Sequence, residues 1–124
     1  MSFEFNEDQP IYRQLRDYMA NAILQGSLGE GDALPSVRTV AVDFQVNPLT
    51  ASKAYQELVN EDLVEKRRGL GMFVVEGARS KLLDTERREF LDNEWPAILR
   101  RLDALEIDLA TLTTSTNTKN GKSS

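Results

Sequence analysis

Residues 45–60 have the sequence QVNPLTASKAYQELVN, and this stretch decides the fold. The side-chain oxygen of Asn47 can cap a helix, and Pro48 suits the first helical turn because its missing N–H needs no partner there. The apolar residues that follow recur at helical spacing, so we predict a helix that reaches about Asn60. The predicted buried face comprises Ala51, Ala54, Tyr55 and Leu58.

A second short helix is predicted just before this one. It begins at Ser36 and reaches about Phe44, with Val37 and Val40 on its inner face. The tight turn between the two helices contains Val46, which we expect to fill the core. Two short helices joined by such a turn make a helix-turn-helix.

An amphipathic helix is predicted before this pair and a β-hairpin after it. From Ile11 the apolar positions recur at helical intervals, and Gly26 is the expected stop. Residues 26–35 hold three glycines and a proline, which indicates a turn-rich connector. Residues 63–75 indicate two strands around a tip at residues 67–71. The predicted fold class is therefore mainly α with a small β-hairpin, a winged helix-turn-helix followed by a helical tail.

The tail carries a stripe of large apolar residues. They are spaced alternately four and three apart, the a/d spacing of a helix–helix seam. These residues are Leu91, Trp95, Ile98, Leu102, Leu105, Leu109 and Leu112. Because the apolar phase passes through Pro96 unbroken, we predict one kinked helix from about Arg79 to Leu105. A last short helix is predicted from Leu109 to about Thr114.

These patterns divide the chain into four segments. They are an N-terminal arm (residues 1–9), a winged helix-turn-helix (10–76), a helical dimerisation tail (77–114) and a disordered tail (115–124). The leucine stripe has two interpretations, an ordinary core or a subunit interface. About 48 residues follow the hairpin. So short a segment is too small for a separate core, which favours the interface.

The composition argues against an enzyme. The 124 residues include no cysteine and no histidine, so the chain lacks a thiolate ligand, a Cys nucleophile and the commonest general base. It also has no Gly-rich phosphate loop. We therefore predict no catalytic residue, no metal site and no cofactor. No apolar run approaches the roughly 18 residues of a transmembrane helix, and the N-terminus lacks the basic start and apolar stretch of a signal peptide. A cytoplasmic protein is therefore the simplest expectation.

The net charge of −5 argues against a protein that coats nucleic acid through bulk positive charge. The charge is unevenly distributed, however. Residues 36–71 hold five basic and five acidic side chains, whereas residues 84–108 hold four basic and eight acidic ones. The negative charge is therefore concentrated in the tail, and the helix-turn-helix and hairpin are neutral.

Three segments are expected to meet on one face: the start of the second helix, the start of the third helix, and the hairpin tip. The amide groups and positive dipole end at Asn47 favour a phosphate, and Leu49 suits a thymine methyl group. The basic, glycine-containing tip suits a DNA groove. The predicted DNA-contacting residues are Ser36, Arg38, Asn47, Pro48, Leu49, Thr50, Ser52, Lys53, Arg67, Arg68 and Gly69.

Four motifs in this order resemble the GntR family of bacterial regulators. They are QPIYRQL at 9–15, LPSVR at 34–38, VNPLTASKAYQEL at 46–58 and RRGLGMFV at 67–74. The resemblance implies a winged helix that binds a palindromic operator as a dimer, usually to repress. It also implies that the helix predicted from Asn47 is the recognition helix. The implied DNA contacts are made by Arg38, by the start of this helix, and by Arg68 and Gly69.

Most members of that family continue into a large effector-binding or aminotransferase-like domain, which this short tail cannot form. The chain is similar instead to the short YtrA-like branch, whose two-helix tail serves dimerisation. The implied partners are double-stranded operator DNA, a second copy of the chain and an unidentified small-molecule effector, with no membrane. Two alternatives remain open: a soluble fold with an incidental basic turn, and a winged helix that binds other proteins.

Overall fold

The computed structural model describes the backbone of residues 4–120 and the side chains of residues 4–114. The chain divides into two compact units, Met1–Asp84 and Thr85–Ser124. The helices are α1 (Ile11–Gln25), α2 (Val37–Phe44), α3 (Pro48–Asn60), α4 (Ala78–Glu89), α5 (Trp95–Ala104) and α6 (Leu109–Asn120). The strands are β1 (Val64–Arg67) and β2 (Gly71–Val74). The predicted class, mainly helical with a small hairpin, is confirmed.

The boundaries of the first three helices follow from local chemistry. The Ser36 side chain accepts a hydrogen bond from the Thr39 N–H at 3.1 Å and caps α2. Asn47 Oδ1 accepts from the Leu49 N–H at 2.7 Å and caps α3. Helix α1 ends at Gly26, whose φ of 91° lies in the left-handed region. All three boundaries agree with the sequence analysis.

The turn between α2 and α3 places a side-chain-bearing residue in an unfavourable conformation. Gln45 has φ 55° and ψ 49°, the left-handed region that crowds a Cβ atom against the backbone. The Gln45 and Val46 N–H groups bond to the carbonyls of Val42 and Ala41, at 3.3 and 3.0 Å. The half-buried Val46 packs against the core, as predicted.

The core of the first unit is formed by α1, α2, α3, the hairpin and the first turns of α4. Its largest fully buried side chains are Tyr55, Leu15, Ile23, Leu58, Leu63, Val40, Val64 and Val74. Burial of each such apolar side chain contributes roughly 1.5–3 kcal/mol before entropic costs are subtracted. Ala78 and Leu82 of α4 are buried in the same cluster.

Arg16 connects α1 to the end of α3. Its guanidinium donates to both carboxylate oxygens of Glu61, with an Nε–Oε2 distance of 3.0 Å, and to Asp17 at 2.8 Å. Burial by itself lowers the pKa of Arg16, but the hydrogen bonds to the two carboxylates outweigh it and the pKa is raised. Arg16 therefore stays charged and fixes the point where the chain leaves α3 for the hairpin.

The connector between α1 and α2 was predicted to consist of turns, but it also contains an extended segment. Residues 26–35 include an edge segment that bonds to β2. The Leu34 N–H donates to the Met72 carbonyl, and the Gly31 N–H donates to the Val74 carbonyl, both at 2.8 Å. The hairpin is therefore bonded along β2 to a third extended segment.

The described part of the N-terminal arm, residues 4–9, is fixed to α1 through the buried side chain of Gln14. Gln14 Oε1 accepts from the Asn6 N–H at 2.9 Å, and its Nε2 donates to the carbonyls of Asn6 and Gln9 at 2.8 and 2.7 Å. Phe5 packs against the core. The first three residues of the predicted arm lie outside the described residues.

The helical backbone continues past Pro96, as predicted. The residues Phe90–Glu94 form a π-helical turn between α4 and α5, in which the Trp95 N–H bonds to the Phe90 carbonyl. Because Pro96 has no N–H to donate, one bond of the helical ladder is missing there, and the wider turn just before it accommodates that loss.

The last helix extends further than predicted. The sequence analysis ended it at Thr114 and assigned disorder to residues 115–124, but α6 continues to Asn120. The Thr113 hydroxyl bonds to the Leu109 carbonyl at 3.2 Å within the helix. Such polar residues have modest helix propensity, so their sequence signal is weak. The predicted disorder of residues 121–124 lies outside the described residues.

We expect Gln45→Gly to raise the free energy of unfolding by about 0.5–1 kcal/mol, because glycine has no Cβ to clash at this positive φ. Urea denaturation followed by circular dichroism measures the change. Gln45→Ala keeps the Cβ and is the matched control. A glycine variant no more stable than the alanine variant would contradict the strain at this turn.

Candidate nucleic-acid interface

Helix α3 buries one face and exposes the other. Leu49, Ser52, Lys53 and Gln56 are exposed, and their spacing of three and four residues places them on one stripe opposite the core. Leu49 is 78% exposed. Three of these residues were predicted DNA contacts. Gln56 was not, although following the exposed stripe for one more turn would have identified it.

A cleft of about 390 Å³ lies between the start of α2, the exposed face of α3 and the hairpin. Its lining includes Ser36 from the cap of α2, Ser52 and Gln56 from α3, and Lys66 and Leu70 from the hairpin. The structure therefore brings together the start of α2, helix α3 and the hairpin, although α3 lines the cleft with Ser52, Tyr55 and Gln56 and not with its first residues.

Of the predicted residues at the helix starts, Ser36 lines the cleft and Arg38 directly follows the lining residue Val37, whereas the first residues of α3 do not line it. Asn47 and Pro48 begin α3, and both are exposed. Thr50 is half-buried, so less of it is available for contact. Arg38 is exposed in the first turn of α2.

Arg67 and Arg68, both predicted as DNA contacts, have different surroundings in the hairpin. The Arg67 Nε donates to Glu65 Oε2 at 2.9 Å, and its guanidinium carbon lies 4.2 Å from the centroid of the Phe73 ring. Arg68 is exposed at the turn, beside Gly69 with a φ of 76°. Arg67 is therefore engaged within the hairpin, whereas Arg68 projects from its tip.

Four cations on α2, α3 and the hairpin have no ion pair with any described residue. They are Arg38 from α2, Lys53 from α3, and Lys66 and Arg68 from the hairpin, and all four are exposed. Lys66 directly precedes Arg67 and Arg68 in the sequence but was absent from the predicted contacts. Cations without an ion pair can bind phosphate oxygens without first breaking a salt bridge.

Tyr55 fixes the relation between α3 and the segment that leads into α2. Its side chain is fully buried, and its hydroxyl donates to the Pro35 carbonyl at 2.6 Å. Burial raises the pKa of Tyr55, so the phenol stays protonated and keeps donating. The sequence analysis placed this tyrosine in the core, but it did not predict the hydrogen bond that positions Ser36 beside α3.

The second unit leaves a set of large apolar side chains at its surface. Leu91 is 58% exposed, and Ile98 is 40% exposed. The other predicted interface residues are half-buried or exposed within this unit, and they are Trp95, Leu102, Leu105, Leu109 and Leu112. Leu99 and Ile107 are also exposed and were not predicted. The apolar surface is therefore broader than the seven-residue stripe.

The described residues offer neither a metal centre nor a membrane span. Within residues 4–114, acidic side chains form no cluster of three that could hold a metal ion. Among the helices described here, none has the length and apolar character needed to cross a membrane.

The sequence pattern of bacterial regulatory proteins of the gntR family matches residues 11–74. The chain is 38% identical over 94 residues to YhcF, an uncharacterized HTH-type transcriptional regulator of Bacillus subtilis (strain 168), across 74% of this chain and 78% of that protein. It is 43% identical over 75 residues to the HTH-type transcriptional repressor YtrA of the same organism, across 60% of this chain and 58% of YtrA. Both relatives are HTH-type transcriptional regulators.

Two solved structures are also similar. A GntR family transcriptional regulator from Listeria monocytogenes has a TM-score of 0.74 and 27% identity, covering 92% of this chain and 98% of that one. AraR(DBD) in complex with operator ORX1 has a TM-score of 0.54 and 26% identity, covering 60% of this chain and 93% of that one. The family pattern spans more than half of the sequence, so the chain belongs to the GntR family of bacterial regulatory proteins and its first unit is a winged helix.

Proposed function

We propose that the chain binds a palindromic operator as a homodimer and represses transcription. The observation that carries this proposal is the cleft shared by α2, α3 and the hairpin, which the unpaired Lys66 lines. The same α2 and hairpin segments carry the unpaired cations Arg38 and Arg68. Two relatives support it: the similar AraR domain was crystallised on an operator, and the similar YtrA is a repressor.

Helix α3 is the element suited to the major groove, which is about 12 Å wide and admits a helix. Its capped N-terminus presents amide groups and a positive dipole end to a phosphate. Leu49 offers an apolar contact for a thymine methyl group, and Ser52 and Gln56 offer hydrogen bonds to base edges. Pro48 and Thr50 complete the proposed contact surface near the helix start.

The hairpin is the element suited to the minor groove. Arg68 at its tip carries a charge attracted by the negative potential of a narrow minor groove. Lys66 lines the cleft between hairpin and α3, where the sugar–phosphate strand separating the two grooves would lie. Gly69 permits the tight turn at the tip. Arg67 also belongs to the proposed interface. We expect it to contribute less to the binding free energy than Arg68, since it is already paired with Glu65.

A second copy of the chain completes the proposed site. One winged helix contacts one half-site, and a palindrome presents two half-sites about one helical turn apart. The exposed apolar residues of the second unit supply a surface for pairing two copies. A small-molecule effector would act by binding two arrangements of this dimer with different affinity.

In this proposal the protein acts on DNA in the cytoplasm and has no enzymatic activity. A winged helix that binds another protein is the second candidate, and the net charge of −5 favours it. Selection of duplexes from a random-sequence pool separates the two. Enrichment of a palindrome supports the operator proposal, and recovery of unenriched sequences supports the alternative.

We expect Arg68→Ala to raise the Kd for the selected duplex by about tenfold or more, and Arg38→Ala to do the same. Each lost phosphate contact should also reduce the slope of log K against log salt by about 0.9. Fluorescence anisotropy over a salt series measures both quantities.

The matched control for Arg68→Ala is Arg67→Ala, the same substitution one residue away on the same hairpin. Because Arg67 is engaged by Glu65 and Phe73, its loss should weaken binding less. If the Arg38→Ala and Arg68→Ala variants bound with the wild-type Kd, the assigned DNA face would be contradicted.

We expect Ile98→Glu to produce a monomer that binds the selected palindrome far more weakly, because a buried carboxylate at an apolar interface is costly. Sedimentation velocity measures the mass, and anisotropy measures the affinity. Ala97→Glu introduces the same residue about 100° away around the axis of α5, outside the predicted interface stripe, and should leave the dimer intact. A dimeric Ile98→Glu protein would exclude this surface as the interface.

A further inference from the structure

The first turn of α1 contacts two oppositely charged residues of α3. The Lys53 ammonium lies over the Tyr12 ring, with Nζ 4.2 Å from the ring centroid. In the next residue of α1, the Arg13 Nη1 lies 3.5 Å from Glu57 Oε1. Adjacent residues of one helix therefore engage a base and an acid of the other.

Lys53 and Glu57 are four residues apart, which makes them neighbours on the surface of α3. Opposite charges at this spacing ordinarily attract each other. No ion pair joins these two side chains in the described part of the chain. Each is engaged by α1 instead, so the first turn of α1 separates two charges that would otherwise pair.

We propose that Tyr12 and Arg13 are positioning residues for DNA binding, which keep Lys53 from being neutralised by Glu57 and present its ammonium to a phosphate. This inference rests on the proposed function. An aromatic ring attracts an ammonium through its negative face and leaves its charge in place. The three N–H donors of Lys53 remain available for phosphate oxygens.

The arrangement also limits the conformational cost of binding. A free lysine side chain loses much rotamer entropy when it is fixed on a ligand. Contact with Tyr12 fixes part of that side chain before DNA arrives, so less entropy is lost on binding. Arg13 in turn balances the negative charge of Glu57, which would otherwise repel a phosphate close to Lys53.

The first experiment compares Tyr12→Leu with Tyr12→Phe, using a duplex selected by the wild-type protein from a random pool. We expect the leucine variant to raise the Kd about two- to fivefold, since exposed cation–π contacts are weak. Phenylalanine keeps an aromatic face and should restore wild-type binding. Combining Tyr12→Leu with Lys53→Gln should give the Kd of Lys53→Gln alone, because the tyrosine acts through the lysine.

Salt dependence separates positioning from loss of folded protein. A variant that is merely less folded binds less but keeps the wild-type slope of log K against log salt. Tyr12→Leu should instead move the slope toward that of Lys53→Gln, which loses about one phosphate contact. Thermal denaturation of each variant without DNA records any change in stability.

The second experiment tests Arg13. Arg13→Gln should weaken binding, because Glu57 becomes free to pair with Lys53. The double variant Arg13→Gln/Glu57→Gln removes that competitor and should recover wild-type affinity. Failure of the double variant to recover affinity would overturn the role of Arg13.

The outcomes also distinguish this inference from the function on which it rests. If the wild-type protein enriches no duplex, the proposed function fails and the inference fails with it. If Lys53→Gln weakens binding and Tyr12→Leu does not, DNA binding stands and the positioning role is overturned. If Lys53→Gln binds as the wild type does, Lys53 is not a contact and the inference is again overturned.

Discussion

The packing of α3 against α1 and α2 is the constraint on which the rest of the first unit depends. Ala51 and Ala54 are completely buried, and their small side chains allow the neighbouring backbone to approach closely. Once Leu58 is also buried, the orientation of α3 about its axis is fixed. The outward stripe that begins at Leu49 is therefore a consequence of the inward one. The buried residues of α3 fix both the packing of the core and the orientation of the face that we propose for DNA.

The sequence predicts those elements whose signals are local. The caps at Ser36 and Asn47 each need only a side chain and an amide a few residues away, so the helix starts could be located from residue type alone. The paired segment at Leu34 could not, because its partner Met72 is distant in sequence and glycines nearby indicate only turns. The sequence also could not predict that Arg67 is paired while Arg68 is exposed. That difference depends on which groups the fold places near each arginine.

The acidic composition of the chain is compatible with a face that attracts DNA because charge acts locally. At physiological ionic strength, the interaction between exposed charges is largely screened beyond about 8 Å. The carboxylates nearest to the cations of the first unit are thus the relevant ones. Several of them are already paired, as Glu61 is with Arg16 and Glu65 is with Arg67. Their negative charge is compensated within the fold, while Arg38 and Arg68 remain without a partner among the described residues.

The bonds between the α1–α2 connector and β2 anchor the base of the hairpin on both of its edges. Strand β2 shares backbone hydrogen bonds with β1 on one side and with residues 31–34 on the other, so two ladders must break before the base of the hairpin can detach. The tip at residues 68–70 lies beyond both ladders. That turn is closed by the bond from the Leu70 N–H to the Arg67 carbonyl, so Arg68 sits on a turn that has no support from the connector.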